Sequence, residues 1–151
     1  MRAVVIGAGR IGCGLAGQLL RASGHEVTFI TRSCDVVKNL RHNGSYHVLL
    51  TSETECRIVT VDGIKAIATS DEAAAITAVT RADLIVTAVC SQNLPAIAPL
   101  IAQALSRRET PANVIGSGAA KSVMRASPSR NVSKTQRRVG SASAAYARSS
   151  T

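Results

Sequence analysis

Gly7-Ala8-Gly9-Arg10-Ile11-Gly12 puts glycine at the first, third and sixth places of a six-residue run near the start of the chain. Each missing Cβ has a separate use. Gly7 permits a tight turn, Gly9 lets a pyrophosphate approach the backbone, and Gly12 lets a following helix lie close to a sheet. A helix starting there presents unpaired N–H groups and a positive dipole end to phosphates. The chemistry such a run supports is dinucleotide binding. A second group, Thr31-Arg32-Ser33, stands about where a carboxylate would take the ribose 2′-OH of NAD. No carboxylate is there. A guanidinium pairs bidentately with a 2′-phosphate and a neighbouring hydroxyl can donate to it, so the position favours NADP over NAD. The alternative leaves Arg32 to solvent and gives the ribose to Asp35, one turn further on.

Groups able to do bond chemistry are scarce. Hydride transfer needs an acid or base within about 3 Å of the reacting oxygen. His25 reads as a turn residue in Gly24-His25-Glu26, and His42 and His47 read as capping or packing residues. Cys90 ends an apolar run and is expected as a buried thiol filling space. No catalytic residue is assigned. Cysteines 13, 34, 56 and 90 form no CxxC pair, so no metal site is expected and a reduced, cytoplasmic location fits.

The elements that must hold these residues are legible around them. Ala3-Val4-Val5-Ile6 is short, β-branched and without alternation, as a strand buried on both faces should be. After the glycines, Ile11, Leu15, Leu19 and Leu20 recur at helical spacing and predict an amphipathic helix packed by that face. Glu26–Ile30 is a second strand, and Asp35–Leu40 a helix capped by Ser33 and closed by Gly44. Tyr46–Leu50, Cys56–Val61 and Ile64–Ile67 read as an antiparallel insertion, with Asp62-Gly63 as a hairpin turn. Ser70 or Asp71 caps a helix, Asp83–Val89 is another buried parallel strand, and Leu94–Leu105 is a helix that Pro99 kinks or delays. Ala112–Ile115 is a last strand. The expected fold is α/β, a Rossmann-like doubly wound parallel sheet with a small antiparallel β insertion.

Net charge divides the chain of 151 residues in two. Residues 1–115 carry eleven Lys and Arg against all nine Asp and Glu, a balance of +2, whereas residues 116–151 carry seven basic residues and no acid. The first part is the dinucleotide-binding domain. The second is a basic Ser/Arg/Ala-rich tail with too few large apolar residues to offset its ordering entropy, and is expected to be disordered. With Tyr146 its only aromatic residue, it has no stacking platform for specific nucleic-acid binding. No apolar run is long enough to span a membrane.

The residues also carry a resemblance. Gly7 to Gly17, with its glycines extended to Gly14 and Gly17, resembles the opening of the mannitol-1-phosphate 5-dehydrogenases. The likeness continues through Ser45-Tyr46-His47-Val48, Thr60–Ile64, Ala82–Val89 and Ile97–Ala102, covering residues 1 to about 115. It implies NAD(P)-linked interconversion of mannitol 1-phosphate and fructose 6-phosphate. By matching position it puts Gly7, Gly9, Gly12 and Gly14, with Ala8, Arg10 and Ile11 between them, in the cofactor turn, and Val89 on the nicotinamide side. Where the family carries an acid near residues 31–33, Arg32 is similar to the ketopantoate reductases, which use NADPH. Where an Ala-Cys-Glu-Asn strand end would follow Ile115, Gly116-Ser117-Gly118-Ala119 stands. The helical half that supplies the family's catalytic lysine has no counterpart here, and Lys121 and Lys134 match no motif. The implied partners are the dinucleotide and either a complementing catalytic domain or further copies of the chain. A stand-alone nucleotide-sensing module and a ketopantoate-reductase-like fragment are the competing readings.

Overall fold

The computed structural model describes residues 1–116 and the backbone of 123–126; the tail beyond Ala126, with Lys134, and residues 117–122, with Lys121, lie outside the described residues. Strand β1 (Arg2–Ile6) has the β-branched, unalternating sequence of a two-sided strand and occupies the middle of the main sheet. It pairs in parallel with β2 (Glu26–Thr31) on one side and with a strand spanning Leu84–Thr87 on the other. From β2 the chain reaches that second neighbour only after two helices, two antiparallel strands and an edge strand. Helix α1 covers residues 10–22. Helix α2 (Cys34–Asn43) begins at Ser33, whose hydroxyl accepts from the Val36 N–H at 3.4 Å, and ends at Gly44 with φ +62°. Both ends match the sequence expectation.

The next stretch departs from it. Strands β3 (Ser45–Thr51) and β4 (Cys56–Asp62) form a separate two-stranded antiparallel sheet, closed by a turn in which Ser52 N–H donates to the Glu55 carbonyl at 2.8 Å. Asp62-Gly63 is therefore not the hairpin turn. Gly63, at φ +62°, swings the chain out of the small sheet, and Ile64 is buried behind it. The third run, β5 (Lys65–Ala68), joins the main sheet in parallel with β2. Its Ala66 and Ile67 have apolar neighbours there, in Phe29 and Ile30, that the insertion could not offer.

Helix α3 (Glu72–Arg81) is capped by Asp71, whose carboxylate accepts from Ala74 N–H at 3.2 Å. Then come β6 (Leu84–Thr87), a single 3₁₀ turn at Ser91–Asn93, and α4 (Leu94–Ser106), which tolerates Pro95 at its start and runs on through Pro99. Strand β7 (Ala112–Gly116) pairs in parallel with β6. Strand β8 (Val123–Ala126), which the sequence did not suggest, pairs antiparallel with β7. The sheet order is β5-β2-β1-β6-β7-β8, so the fold is the expected Rossmann-like one with a small antiparallel pair beside it.

Apolar residues fill both faces of the sheet. Val4, Ile6, Ile30 and Ile85 meet Ile76, Val79 and Ile97 of α3 and α4 on one face. Val5, Val27 and Phe29 meet Val37 and Leu40 of α2, Val48 and Val61 of the antiparallel pair, and Cys13, Ala16 and Leu20 of α1 on the other. Ile11, Leu15 and Leu19, expected as the packed face of α1, are instead 50%, 56% and 51% exposed. The reason is close approach: Gly12 and Gly17 are the buried positions of the helix. A helix that near the sheet turns its smallest residues inward and Leu15 and Leu19 out, while Leu20 packs as expected.

Candidate functional site

The parallel register gathers the glycine turn and the ends of β2 and β6 at one edge of the sheet. Ile6, the last residue of β1, lies beside Ile30 and Thr87. The turn is stitched to both neighbours: Gly7 N–H donates to the Ile30 carbonyl at 2.8 Å, and Ala88 N–H to the Ile6 carbonyl at 2.7 Å. Gly7, Ala8 and Gly9 thus sit in the crevice at the carboxyl ends of the strands, where open α/β sheets take ligands. Arg10, Ile11, Gly12 and Gly14 form the first turns of α1.

The three glycines of the motif differ sharply in their surroundings. Gly7 holds φ +105°, and a Cβ on it would meet the Ala88 carbonyl oxygen at 2.5 Å and Val89 Cγ1 at 2.9 Å. A Cβ on Gly12 would stand 1.8 Å from the Gly7 oxygen. A Cβ on Gly9 or Gly14 would meet nothing within 4 Å. Two glycines are thus demanded by the turn itself, while the space beside Gly9 is open. That is the arrangement a pyrophosphate would need, with backbone accessible and no side chain in front of it.

Thr31 is the last residue of β2, with Arg32 and Ser33 exposed directly after it. Ser33 N–H donates to Thr31 Oγ1 at 3.4 Å, and Ser33 Oγ is itself the acceptor of the α2 cap. An accepting hydroxyl keeps its own proton free to donate. Asp35 is exposed in the first turn of α2. Val89 is half-buried beside Gly7. The residues present therefore fit a dinucleotide, with an open glycine where a pyrophosphate would lie and an exposed cation and hydroxyls after β2.

The sequence misplaced one residue and overlooked another. Cys90 is exposed, because β6 ends at Thr87 and the chain has left the sheet before it reaches that thiol. Tyr46, read from the sequence as a strand residue and as part of the resemblance but given no role, reaches from β3 to α1 and donates its hydroxyl to the Cys13 carbonyl at 2.8 Å. Its ring meets Phe29 edge to face at 5.8 Å. Burial pushes the Cys13 thiol up to about 11 and raises the Tyr46 phenol, with Cys13 adding to the latter. Both stay protonated at neutral pH. No feature of the bare sequence signals this contact, which depends on two elements meeting across 33 positions.

None of the histidines reaches the turn. His25 precedes β2 at the opposite end of that strand and gives its carbonyl to Arg21 Nη1 at 2.8 Å; His47 Nδ1 lies 3.1 Å from Thr60 Oγ1 on the outer side of the antiparallel pair; His42 is exposed in the last turn of α2. Among the described residues no group of His, Cys, Asp and Glu could hold a metal ion, and no helix is long and apolar enough to cross a membrane. Two cavities lie elsewhere. One of about 710 Å³ runs along β5 and α3, and one of about 500 Å³ lies between α2 and β3. Neither includes a residue of the glycine turn.

Comparison with known proteins adds to this geometry. The family model described as the mannitol dehydrogenase Rossmann domain matches residues 1–117. The mannitol-1-phosphate 5-dehydrogenase of Geobacillus thermodenitrificans is 42% identical over 111 residues, which make up 73% of this chain and 29% of that protein. That of Brevibacillus brevis is 40% identical over 119 residues, 76% of this chain and 31% of that protein. The chain thus spans less than a third of the length of these relatives. Among solved structures, a ketopantoate reductase from Ralstonia eutropha JMP134 aligns with a TM-score of 0.56 at 24% identity, over 78% of this chain and 34% of that one. That likeness is one of fold.

Proposed function

Because the chain belongs to the mannitol dehydrogenase family through its Rossmann domain, we propose that residues 1–115 are the cofactor-binding half of a cytoplasmic polyol-phosphate oxidoreductase. Its reaction is the interconversion of mannitol 1-phosphate and fructose 6-phosphate. The observation that carries the reading is the open space at Gly9, between Gly7 and Gly12, which contacts under 3 Å hold as glycine. In this site Gly7, Ala8, Gly9, Arg10, Ile11, Gly12 and Gly14 form the cofactor turn, with the pyrophosphate against the open backbone at Gly9. Val89 closes the nicotinamide side. Thr31, Arg32 and Ser33 take the 2′-phosphate of NADP, which is preferred to NAD because the guanidinium offers it a charge-assisted pair and no carboxylate at those positions repels it.

The bound nicotinamide supplies or accepts the hydride. The chain's own residues bind it, orient it and shield one of its sides. No histidine, lysine or carboxylate of the described residues is placed to move the substrate proton, so that work and the sugar-phosphate contacts fall to a complementing catalytic domain. Residues 116–151 carry seven basic residues and no acid and are given no part in the reaction. The chain by itself therefore binds cofactor and does not turn over substrate.

Calorimetric titration with NADPH, then NADH, then fructose 6-phosphate tests each part. The expected result is tighter binding of NADPH, with the preference reduced roughly tenfold or more in Arg32→Ala, as loss of a charged hydrogen-bond pair requires. Fructose 6-phosphate should give neither heat nor NADPH oxidation. Equal affinities for the two nucleotides would remove the role of Arg32, and binding of neither would remove the site.

A further inference from the structure

Helix α1 departs from α winding almost at once. After Arg10 and Ile11, residues Gly12–Gly17 take the wider π geometry, and α winding resumes at Gln18. Such turns are rare, recur at functional sites, and need side chains or neighbours to sustain them. Here the neighbour is Tyr46. Its hydroxyl donates to the Cys13 carbonyl at 2.8 Å, and on the other side of the same residue the Cys13 N–H donates to the Gly9 carbonyl at 2.8 Å. Two hydrogen bonds, joined through Cys13, thus lead from β3 to Gly9, whose surroundings are open.

Gly17 makes this route passable. A Cβ there would stand 2.5 Å from Tyr46 Oη and 2.5 Å from Phe29 Cζ. Its glycine identity therefore answers to the tyrosine and not to a phosphate. Phe29 is fully buried in the sheet and meets the tyrosine ring edge to face at 74°, so the hydroxyl is aimed by a rigid support.

We infer that Tyr46 is the positioning residue of the glycine turn: through the gap at Gly17 it holds the Cys13 peptide, keeps the first turns of α1 wide, and so fixes the Gly9 backbone against which a pyrophosphate binds. The inference rests on the cofactor reading above. It assigns a function to the small antiparallel sheet, which carries Tyr46 and is otherwise remote from the ligand crevice.

The test is Tyr46→Phe, which keeps the ring and removes the hydroxyl, followed by NMR titration with NADPH and with adenosine 2′-monophosphate. NADPH affinity should fall roughly 3- to 10-fold, the range expected for one neutral hydrogen bond. Affinity for adenosine 2′-monophosphate, which has no pyrophosphate, should stay the same. In the ligand-free variant, amide resonances of Gly9, Cys13, Gly14 and Gly17 should move while those of α3 and α4 do not. Wild-type affinity for NADPH in the folded variant overturns the role of Tyr46 alone. So does an equal loss for both ligands, which a merely structural tyrosine would give. A wild-type protein that binds neither ligand overturns the cofactor reading and this inference with it.

Discussion

A methyl group on Gly12 would sit 1.8 Å from the Gly7 carbonyl oxygen, which is backbone and cannot swing aside. A side chain on Gly9 would meet nothing within 4 Å. The two positions therefore separate folding from binding. Gly12→Ala should yield a protein that is destabilised by several kcal/mol or does not fold, a cost in line with severe backbone overlap. Gly9→Val should fold with an unchanged thermal midpoint and lose nucleotide binding. Circular dichroism melts beside a nucleotide titration check both, and a Gly9→Val protein that still binds would take Gly9 out of the site. At this scale the sequence was informative where chemistry lay in a contiguous run, as in Gly7 to Gly12. It was silent on Tyr46, whose partner is 33 positions away, and it misjudged Cys90, because the alternation of types cannot say where an apolar strand leaves its sheet.

Among the elements, helix ends show how much of local structure is written locally. Ser33 and Asp71 cap α2 and α3 as their positions before acidic and apolar residues suggest. The carboxyl end of α3 is closed from a distance. Arg108, only 8% exposed, donates through Nη1 to the carbonyls of Val79, Thr80 and Ala82, and through Nε to that of Thr110. Burial pulls its pKa below the usual arginine value while Asp83 favours its charge. In the sequence Arg107-Arg108-Glu109 looks like any solvated charge run. Removing the guanidinium takes a donor from each of those carbonyls, although Val79 keeps the Ala82 N–H at 3.2 Å, so Arg108→Ala should cost about 3 kcal/mol in urea denaturation. Arg108→Lys should recover little of it, since one ammonium cannot fork to the same set. Full recovery by lysine would mean that charge alone matters. The face of α1 and the pairing of β5 were misread for a related reason. Periodicity names the apolar residues of an element, but the partner decides which of them it covers. Gly12 and Gly17 draw α1 in by its small side, and Phe29 and Ile30 draw β5 to the larger sheet.

On the scale of the whole molecule, the sheet order β5-β2-β1-β6-β7-β8 sets β1 between one strand that follows it closely and another 81 residues later. A ribosome releases these strands in a different order from the one in which they pair. While residues up to Ala82 emerge, β1 has β2 on one flank and an open row of N–H and C=O groups on the other, along an edge that reads Val4-Val5-Ile6. At about 5–20 residues per second that edge stays unpaired for roughly 4–16 s. A fragment ending at Ala82 should therefore aggregate or unfold without cooperativity, whereas one ending at Gly116 should melt in a single transition, and scanning calorimetry of the two distinguishes them. A cooperative transition in the shorter fragment would show that β6 is dispensable to the core. The strand that begins the chain waits 81 residues for its second neighbour, so in a living cell one of the most apolar edges of this protein is also one that chaperones have long to find.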